Sequence, residues 1–226
     1  TSSNENVAVG YAALGATTTG DANTSIGAFS LQTNILSDRN VALGHSALAT
    51  HNQATRVDSY NTAVGFFAGE KLTTGKENTI IGATAGDALT DADYNVAIGF
   101  QALTTDTLGS RSVAIGYNAL LSQNFTTATD SYNTAMGFAA GEVITTGIKN
   151  TLIGGQAGDA ITTGDQNVAV GYLALTSNQT ADGNTAIGVG ALNDTTGANN
   201  VAVGQLAGFA VSSGVSNVFI GKDAGD

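Results

Sequence analysis

Four acidic residues are the side chains in this sequence whose spacing comes closest to a catalytic or metal-binding pattern. They form two pairs, Glu70 with Asp87 and Glu142 with Asp159, and the members of each pair are 17 residues apart. Stacked carboxylates can ligate calcium, which needs six or more oxygen atoms, or act as the acid pair of a glycosidase. The regular Gly-Asp loops of calcium-binding β-rolls are absent, however, and nothing in the sequence distinguishes one pair. We therefore interpret these acids as a solvated negative face.

Other chemistry finds little support in the residue types. The chain has two histidines and no cysteine, so thiolate metal sites and disulfides are excluded. No Ser-His-Asp constellation or phosphate-binding loop is present. We expect a protein that is not an enzyme and that uses no metal and no cofactor. A polysaccharide depolymerase remains a less favoured alternative, because carboxylates on stacked turns can cleave glycosides.

Two longer segments are the candidate binding loops. They run over residues 49–60 and 121–132, and both end in Asp-Ser-Tyr before an Asn. Insertions in repeat proteins map to loops on one face, which is often a binding face. A loop copied along with a duplicated block would look the same. The residues that would contact a receptor or glycan are His51, Asn52, Arg56, Tyr60, Asn124, Phe125 and Tyr132.

These candidate residues are placed by a five-residue unit, Asn-(Val/Thr)-Ala-(Val/Ile)-Gly, which occurs 13 times. The interval between successive units is 17 residues in nine cases, 21 in two and 16 in one. The two intervals of 21 contain the candidate loops. A fixed short period predicts a solenoid, so we treat residues 1–226 as a single repeat domain of about 13 coils.

We number each repeat from its Asn, so that the Gly of the unit is position 5. The β-branched, alternating residues at positions 2 to 4 predict a short strand with positions 2 and 4 on one face and position 3 on the other. The small residues at position 3 would then form an exposed stripe on which identical chains pack. The predicted packing residues are Ala8, Ala42, Ala63, Ala97, Ala114, Ala135, Ala186 and Ala202.

The rest of each repeat predicts a bend, a second strand and a turn. Position 8 is Ala in 12 repeats, which suggests a second strand near positions 7 to 9. Gly at position 15, as in Gly75 or Gly147, suggests a tight turn with positive φ. The Asn at position 1 suggests a hydrogen-bonded Asn ladder at the corner of the coil. Thr pairs before the turn, such as Thr73-Thr74, admit an ice-binding array as a less favoured alternative.

Two types of repeat alternate along the chain. One has Leu at position 9 with a polar residue at position 12, as in Leu103 with Asp106. The other has Gly at position 9 with an aliphatic residue at position 12, as in Gly69 with Leu72. We interpret this exchange as one core site filled from two backbone positions, since empty core volume is destabilising.

Composition excludes several classes of partner. The net charge is -11 with only seven Lys and Arg residues, so we expect no binding to nucleic acid. No apolar run approaches the roughly 20 residues of a membrane span, and we expect no membrane insertion in this segment. No signal peptide is visible, and the chain starts without Met, so we interpret it as a piece of a longer protein.

The pattern Asn-Thr-Ala-Val-Gly-aromatic-x-Ala-Leu followed by Thr-Thr-Gly resembles the repeats of bacteriophage tail fibres. The five-residue unit is also similar to the repeat in the head domains of trimeric autotransporter adhesins. The resemblance implies an all-β, left-handed parallel β-roll that forms a trimeric fibre on a virion or cell surface, outside the cell. Its function would be structural and adhesive, with a host receptor or glycan as partner. The 17-residue coil favours the phage family over the alternative of a bacterial surface adhesin.

Overall fold

The computed structural model of the chain describes residues 3–225 and consists of short β-strands joined by turns, with no helix among these residues. The strands are β1 (Val7–Val9), β2 (Thr24–Ile26), β3 (Ser37–Asp38), β4 (Val41–Leu43), β5 (Val57–Asp58), β6 (Thr62–Val64), β7 (Thr79–Ile81), β8 (Val96–Ile98), β9 (Gly109–Ser110), β10 (Val113–Ile115), β11 (Thr129–Asp130), β12 (Thr134–Met136), β13 (Thr151–Ile153), β14 (Val168–Val170), β15 (Thr185–Ile187), β16 (Val201–Val203) and β17 (Val218–Ile220).

The chain divides into two compact units. The first contains the residues through Ser112 together with Asn124–Thr129, and the second contains Val113–Gln123 and the residues from Asp130 onward. In the first unit β1, β2, β4, β6, β7 and β8 pair in parallel. In the second unit β10 and β12 to β17 do the same.

Equivalent positions of successive repeats lie side by side in both units. Ala42 pairs with Ala63 in the first unit, and Ala114 pairs with Ala135 in the second. The chain is therefore an all-β parallel solenoid of about 13 turns spaced by about 17 residues, as the sequence predicts.

The alanines at position 3 point into the solenoid, which corrects the predicted packing stripe. Seven of the predicted packing residues are 0% exposed in the single chain: Ala42, Ala63, Ala97, Ala114, Ala135, Ala186 and Ala202. Ala8, in the first turn, is exposed. The prediction is wrong because the interior of a 17-residue turn is narrow. The residues at position 3 face that interior and are small in most turns, with Ile80 and Leu152 as buried exceptions, whereas the aliphatic residues at position 4 face outward.

Position 8 lies opposite position 3 across this interior. In the second turn both alanines are replaced by serine, and the hydroxyl oxygens of Ser25 and Ser30 are 2.5 Å apart and buried. The two substitutions compensate each other, because each buried hydroxyl supplies the other's hydrogen-bond partner. The side chain at position 8 is therefore small because it packs against the side chain at position 3.

The predicted second strand near positions 7 to 9 does not form. Positions 7 and 9 both have positive φ, as at Phe29 (61°) and Leu31 (44°), so the backbone curls and cannot extend. The curled segment still bonds to its neighbours, since Phe29 N donates to Tyr11 O at 2.8 Å and Leu31 N donates to Ala47 O at 3.0 Å. Hydrogen bonds between turns thus continue beyond the strands.

Two glycine columns are required for different reasons. At position 5, Gly154 has φ of 135°, and a Cβ there would lie 2.5 Å from the carbonyl oxygen of Gly171. At position 15 the predicted positive φ is absent. A Cβ on Gly147 would instead lie 2.5 Å from the carbonyl oxygen of Gly164. Close approach of the next turn, and not the conformation of a tight turn, therefore selects glycine at Gly147, whereas Ala92 and Ala181 occupy position 15 in two other turns.

The alternation of repeat types is confirmed as an exchange within the core. Where position 9 is Gly, the position 12 residues Leu72, Leu89, Ile144 and Ile161 are fully buried. A Cβ on Gly158 would lie 2.9 Å from Cδ1 of Ile161 and 2.7 Å from Cδ2 of Leu152. The space of the missing Leu is thus filled from position 12 and, in this turn, also from position 3.

Candidate binding surface

The Asn ladder at position 1 supports the corner beside which both insertions project, as the sequence predicts. Asn61 Oδ1 accepts a hydrogen bond from Asn78 N at 3.0 Å, and Asn61 Nδ2 donates to Gly75 O at 2.9 Å. The same pair of bonds recurs in the second unit, where Asn150 N donates to Asn133 Oδ1 at 2.9 Å. Each buried amide thus joins two turns and closes the end of its own turn.

The first insertion, residues 49–60, extends one turn and adds a small strand pair. In it β5 pairs with β3 of the preceding turn, with Ser37 opposite Val57 and Asp38 opposite Asp58. Asn52 is half-buried, and its Oδ1 accepts a hydrogen bond from Ile35 N at 3.1 Å. The segment is therefore tied to the turn before it.

His51 lies in the core, which corrects its prediction as a contact residue. It occupies position 12 of its turn, where polar residues such as Asn34, Asp106 and Gln123 are buried in other turns that have Leu at position 9. Its Nε2 lies 3.5 Å from Asn61 Nδ2, and within the described residues Nδ1 has no hydrogen-bond partner. Burial lowers the pKa of His51 to about 4, an effect that the backbone of Thr73 partly opposes. The neutral imidazole has no access to a receptor.

Arg56 and Tyr60 are exposed, as predicted for contact residues. Arg56 Nε donates to Asp38 Oδ2 at 2.9 Å, and its guanidinium also pairs with Asp21. Tyr60 is 52% exposed, and its hydroxyl lies 3.1 Å from Asp58 Oδ2. Arg56 lines a cavity of about 520 Å³, and Tyr60 contacts Asp58 and Arg39, which also line it.

The second insertion, residues 121–132, is built differently. Phe125 is only 5% exposed, which corrects its prediction as a contact residue. Its backbone N donates to Asp106 Oδ1 at 3.0 Å, and its ring lies against Gly109. The ring enters the core because Gly109 leaves room for it.

The other two contact residues predicted in the second insertion are accessible. Asn124 is half-buried, and its Oδ1 accepts a hydrogen bond from Thr107 Oγ1 at 3.2 Å. Tyr132 is exposed, and its hydroxyl lies 3.4 Å from Asp130 Oδ2.

Sequence reasoning missed Arg39 and the carboxylates around it. The guanidinium of Arg39 pairs with Asp58 and lies 5.8 Å from the centroid of the Tyr60 ring. A signal was present, since Arg39 and Tyr60 both immediately precede the Asn of the next repeat. The residue before the Asn has positive φ in every repeat, as at Arg39 (59°) and Tyr60 (51°). The side chains of Arg39 and Tyr60 are exposed.

The acids at position 10 make ordinary polar contacts. Asn118 Nδ2 donates to Glu142 Oε1 at 2.9 Å, and Gln156 Nε2 lies 3.4 Å from Asp159 Oδ2. Partial burial raises the pKa of Asp159, with a smaller contribution from Glu142. Within residues 3–225, no three or more His, Cys, Asp or Glu residues are arranged so that they could hold a metal ion.

Several threonines before the turn use their hydroxyls within the fold. Thr90 Oγ1 donates to Thr107 O at 3.0 Å, and Thr162 Oγ1 donates to Gln179 O at 2.9 Å. An ice-binding surface needs a regular array of available hydroxyl groups. Hydroxyls at position 13 that bond to the next turn do not provide such an array.

The outward side of the strands is a continuous apolar surface in each unit. We call it the strand face, and it consists of the side chains at positions 2, 4 and 6. Nine aliphatic residues at position 4 are 37% to 72% exposed: Val9, Ile26, Leu43, Ile81, Met136, Ile153, Ile187, Val203 and Ile220. Aromatic residues at position 6 extend it, and the rings of Tyr117 and Phe138 stack 5.4 Å apart.

Comparison of the chain with protein-family models, with curated proteins and with solved structures found no match. Within the described residues, there is no helix with the length and hydropathy that a membrane crossing requires.

Proposed function

We propose that this chain is a non-enzymatic structural and adhesive segment of a phage tail fibre, which attaches to the surface of a host cell. Three copies would pack around a common axis, each wound as a left-handed roll, on the virion surface and outside the cell. The handedness and the trimer come from the resemblance to tail-fibre repeats. The partner would be a receptor or glycan of the host surface.

The observation that carries this proposal is the strand face. Soluble monomers rarely expose apolar patches larger than a few hundred Å². Here most described turns place aliphatic or aromatic side chains outward, while the residue at position 3, usually alanine, faces inward. Association of identical chains would remove these side chains from water, and closed symmetry is the usual arrangement.

The contact surface in this proposal replaces the alanine stripe predicted from the sequence. Substituting Ala114 would disturb the core of one chain, because that residue is buried. A direct test places a charge on the strand face at Ile153, which is 37% exposed. Val143, which is 38% exposed at position 11 and so lies away from the strand face, provides a matched control.

We expect the wild-type chain to have the mass of three chains by light scattering at micromolar concentration. Ile153→Lys should reduce that mass or cause aggregation, because desolvating an unpaired ammonium group in an apolar interface is unfavourable. Val143→Lys should keep the mass of three chains. A wild-type mass of one chain would contradict the trimer.

A further inference from the structure

The cavity beside the first insertion is lined by charged groups whose positions are fixed. Its lining includes Asp21, Asp38 and Asp58 together with Arg39 and Arg56, and it encloses about 520 Å³. A cavity of this size is at the lower end of the range for small-molecule sites.

Each carboxylate that binds Arg56 is also anchored to the backbone. Asp21 Oδ1 accepts a hydrogen bond from Asn4 N at 2.6 Å, and Asp38 Oδ1 accepts one from Asp21 N at 2.7 Å. Their second oxygens face Arg56. The hydrogen bond from Asn4 N and the Arg56 guanidinium lower the pKa of Asp21, so this carboxylate stays ionised. These groups are therefore oriented before any ligand arrives, which reduces the entropy lost on binding.

Tyr60 adds an aromatic surface next to the cavity, because it contacts the lining residues Asp58 and Arg39. The guanidinium of Arg39 lies over one face of the Tyr60 ring, 5.8 Å from its centroid, and Tyr60 remains 52% exposed. Exposed aromatic rings beside fixed carboxylate and guanidinium groups are suited to sugars. The ring packs against the C–H face of a sugar, and the charged groups hydrogen-bond its hydroxyls.

A second exposed tyrosine follows on the same column of the first unit. Tyr94 lies two turns beyond Tyr60, which corresponds to about 10 Å at the strand spacing. The guanidinium of Arg111 lies 4.8 Å from the centroid of the Tyr94 ring. Two rings at this separation can contact successive parts of one extended chain of sugars.

We propose that this cavity, together with Tyr60 and Tyr94, binds a neutral glycan of two or more sugar units. The lining has four acids, including Glu5, against two guanidinium groups, so its charge disfavours anionic glycans. The inference rests on the proposed function, in which the glycan belongs to the host surface.

The second insertion supplies an internal contrast in sequence. The segment Thr-Arg-Val-Asp-Ser-Tyr at 55–60 corresponds to Thr-Ala-Thr-Asp-Ser-Tyr at 127–132. Ala128 therefore replaces Arg56, and Ser110 replaces Asp38, so the complete set of charged groups occurs only at the first insertion. The substitution Arg56→Ala makes the first block resemble the second.

The experiment probes an array of neutral and acidic microbial oligosaccharides with the labelled chain, and then titrates the strongest neutral binder by calorimetry. We expect neutral binders to dominate. Arg56→Ala and Tyr60→Ala should each weaken binding tenfold or more, and Tyr94→Ala should weaken binding of longer glycans only. Gln166→Ala is the matched control, because Gln166 also precedes the Asn of the next repeat, has φ of 58° and is exposed. It should leave the affinity within twofold.

Binding of the labelled chain to a panel of bacterial cells separates this inference from the proposed function. Cell binding that Tyr60→Ala and Arg56→Ala leave unchanged, or that protease treatment of the cells abolishes, would overturn the glycan site and leave attachment standing. Neutral-glycan binding without binding to any cell would support the site and contradict attachment. Only acidic binders on the array, or no binder, would also overturn the site.

Discussion

The insertions at residues 49–60 and 121–132 have the same length and the same Asp-Ser-Tyr ending, yet different contacts hold them. The first carries Arg56 outward to Asp21 and Asp38, and its buried position 12 is His51. The second carries Phe125 inward, and its buried position 12 is Gln123.

The same backbone extension thus carries an exposed side chain in the first insertion and a buried side chain in the second. Gln123 Oε1 accepts a hydrogen bond from Asn133 Nδ2 at 2.8 Å, whereas His51 Nε2 is 3.5 Å from Asn61 Nδ2. The buried polar side chain of the second insertion is therefore better hydrogen-bonded than that of the first. The first insertion instead presents more charged groups to solvent. Substitutions at Phe125, His51 and Arg56 test this difference between the two insertions.

Removing the inward ring should have the largest effect. Phe125→Ala should lower the free energy of unfolding by about 3–5 kcal/mol, because it leaves a cavity beside Asp106 and Gly109. Urea denaturation followed by circular dichroism measures the change. Its exposed neighbour provides the control, since Thr126→Ala should change stability by less than about 0.5 kcal/mol. A loss at Phe125 no larger than that of the control would show that the ring is not part of the core.

The buried imidazole should make stability depend on pH. The folded pKa of His51 is lowered to about 4 from 6.5, so between these values the unfolded state binds the proton more readily. The stability that neutral His51 contributes is fully present above pH 6.5 and falls as the pH decreases from 6.5 to 4. Below pH 4 it stays level. The total loss should be about 3 kcal/mol.

His51→Gln should remove this pH dependence, because glutamine does not titrate and occupies the same position of the turn at Gln123. Urea denaturation at a series of pH values between 4 and 7 measures the difference between the two proteins. The reciprocal substitution, Gln123→His, should introduce a pH-dependent loss at the second insertion. Parallel pH profiles of wild type and His51→Gln would contradict a buried, neutral His51.

The outward guanidinium should contribute least to stability. Arg56→Ala should lower the free energy of unfolding far less than Phe125→Ala does, since the ion pairs of Arg56 are exposed on one side and weakened by water. Repeating the denaturation in 1 M salt should reduce even that difference. A loss comparable to that of Phe125→Ala would mean that the outer contacts hold the first insertion in place.

Much of the fold is predictable from periodicity. The 17-residue interval predicts parallel turns, and the Asn column predicts a hydrogen-bonded ladder, because identical residues at a fixed period must lie beside one another. One repeat type has Gly69 and Leu72 where the other has Leu103 and Asp106. This exchange predicts that both types fill the same core site, because core volume must stay filled. Each of these inferences needs only the pattern of residue types.

The candidate site was less predictable. Of the predicted contact residues, Arg56, Tyr60 and Tyr132 are exposed and Asn52 and Asn124 are half-buried, but His51 and Phe125 are inside. Both misplaced residues are of types common at binding surfaces, and their burial depends on the empty space beside them. Arg39 belongs to another turn, and only the stacking of turns brings it to Tyr60.

The sequence by itself determined the repeat, the strand at positions 2 to 4 and the columns that stack, because those follow from spacing. Only the tertiary structure decided which side of each strand faces inward. Alternation defines two faces without saying which is inside, and the narrow interior takes a small residue at position 3 except beside Gly at position 9, where Ile80 and Leu152 also fit. The aliphatic residues at position 4 therefore face outward, where they are available to contact other chains.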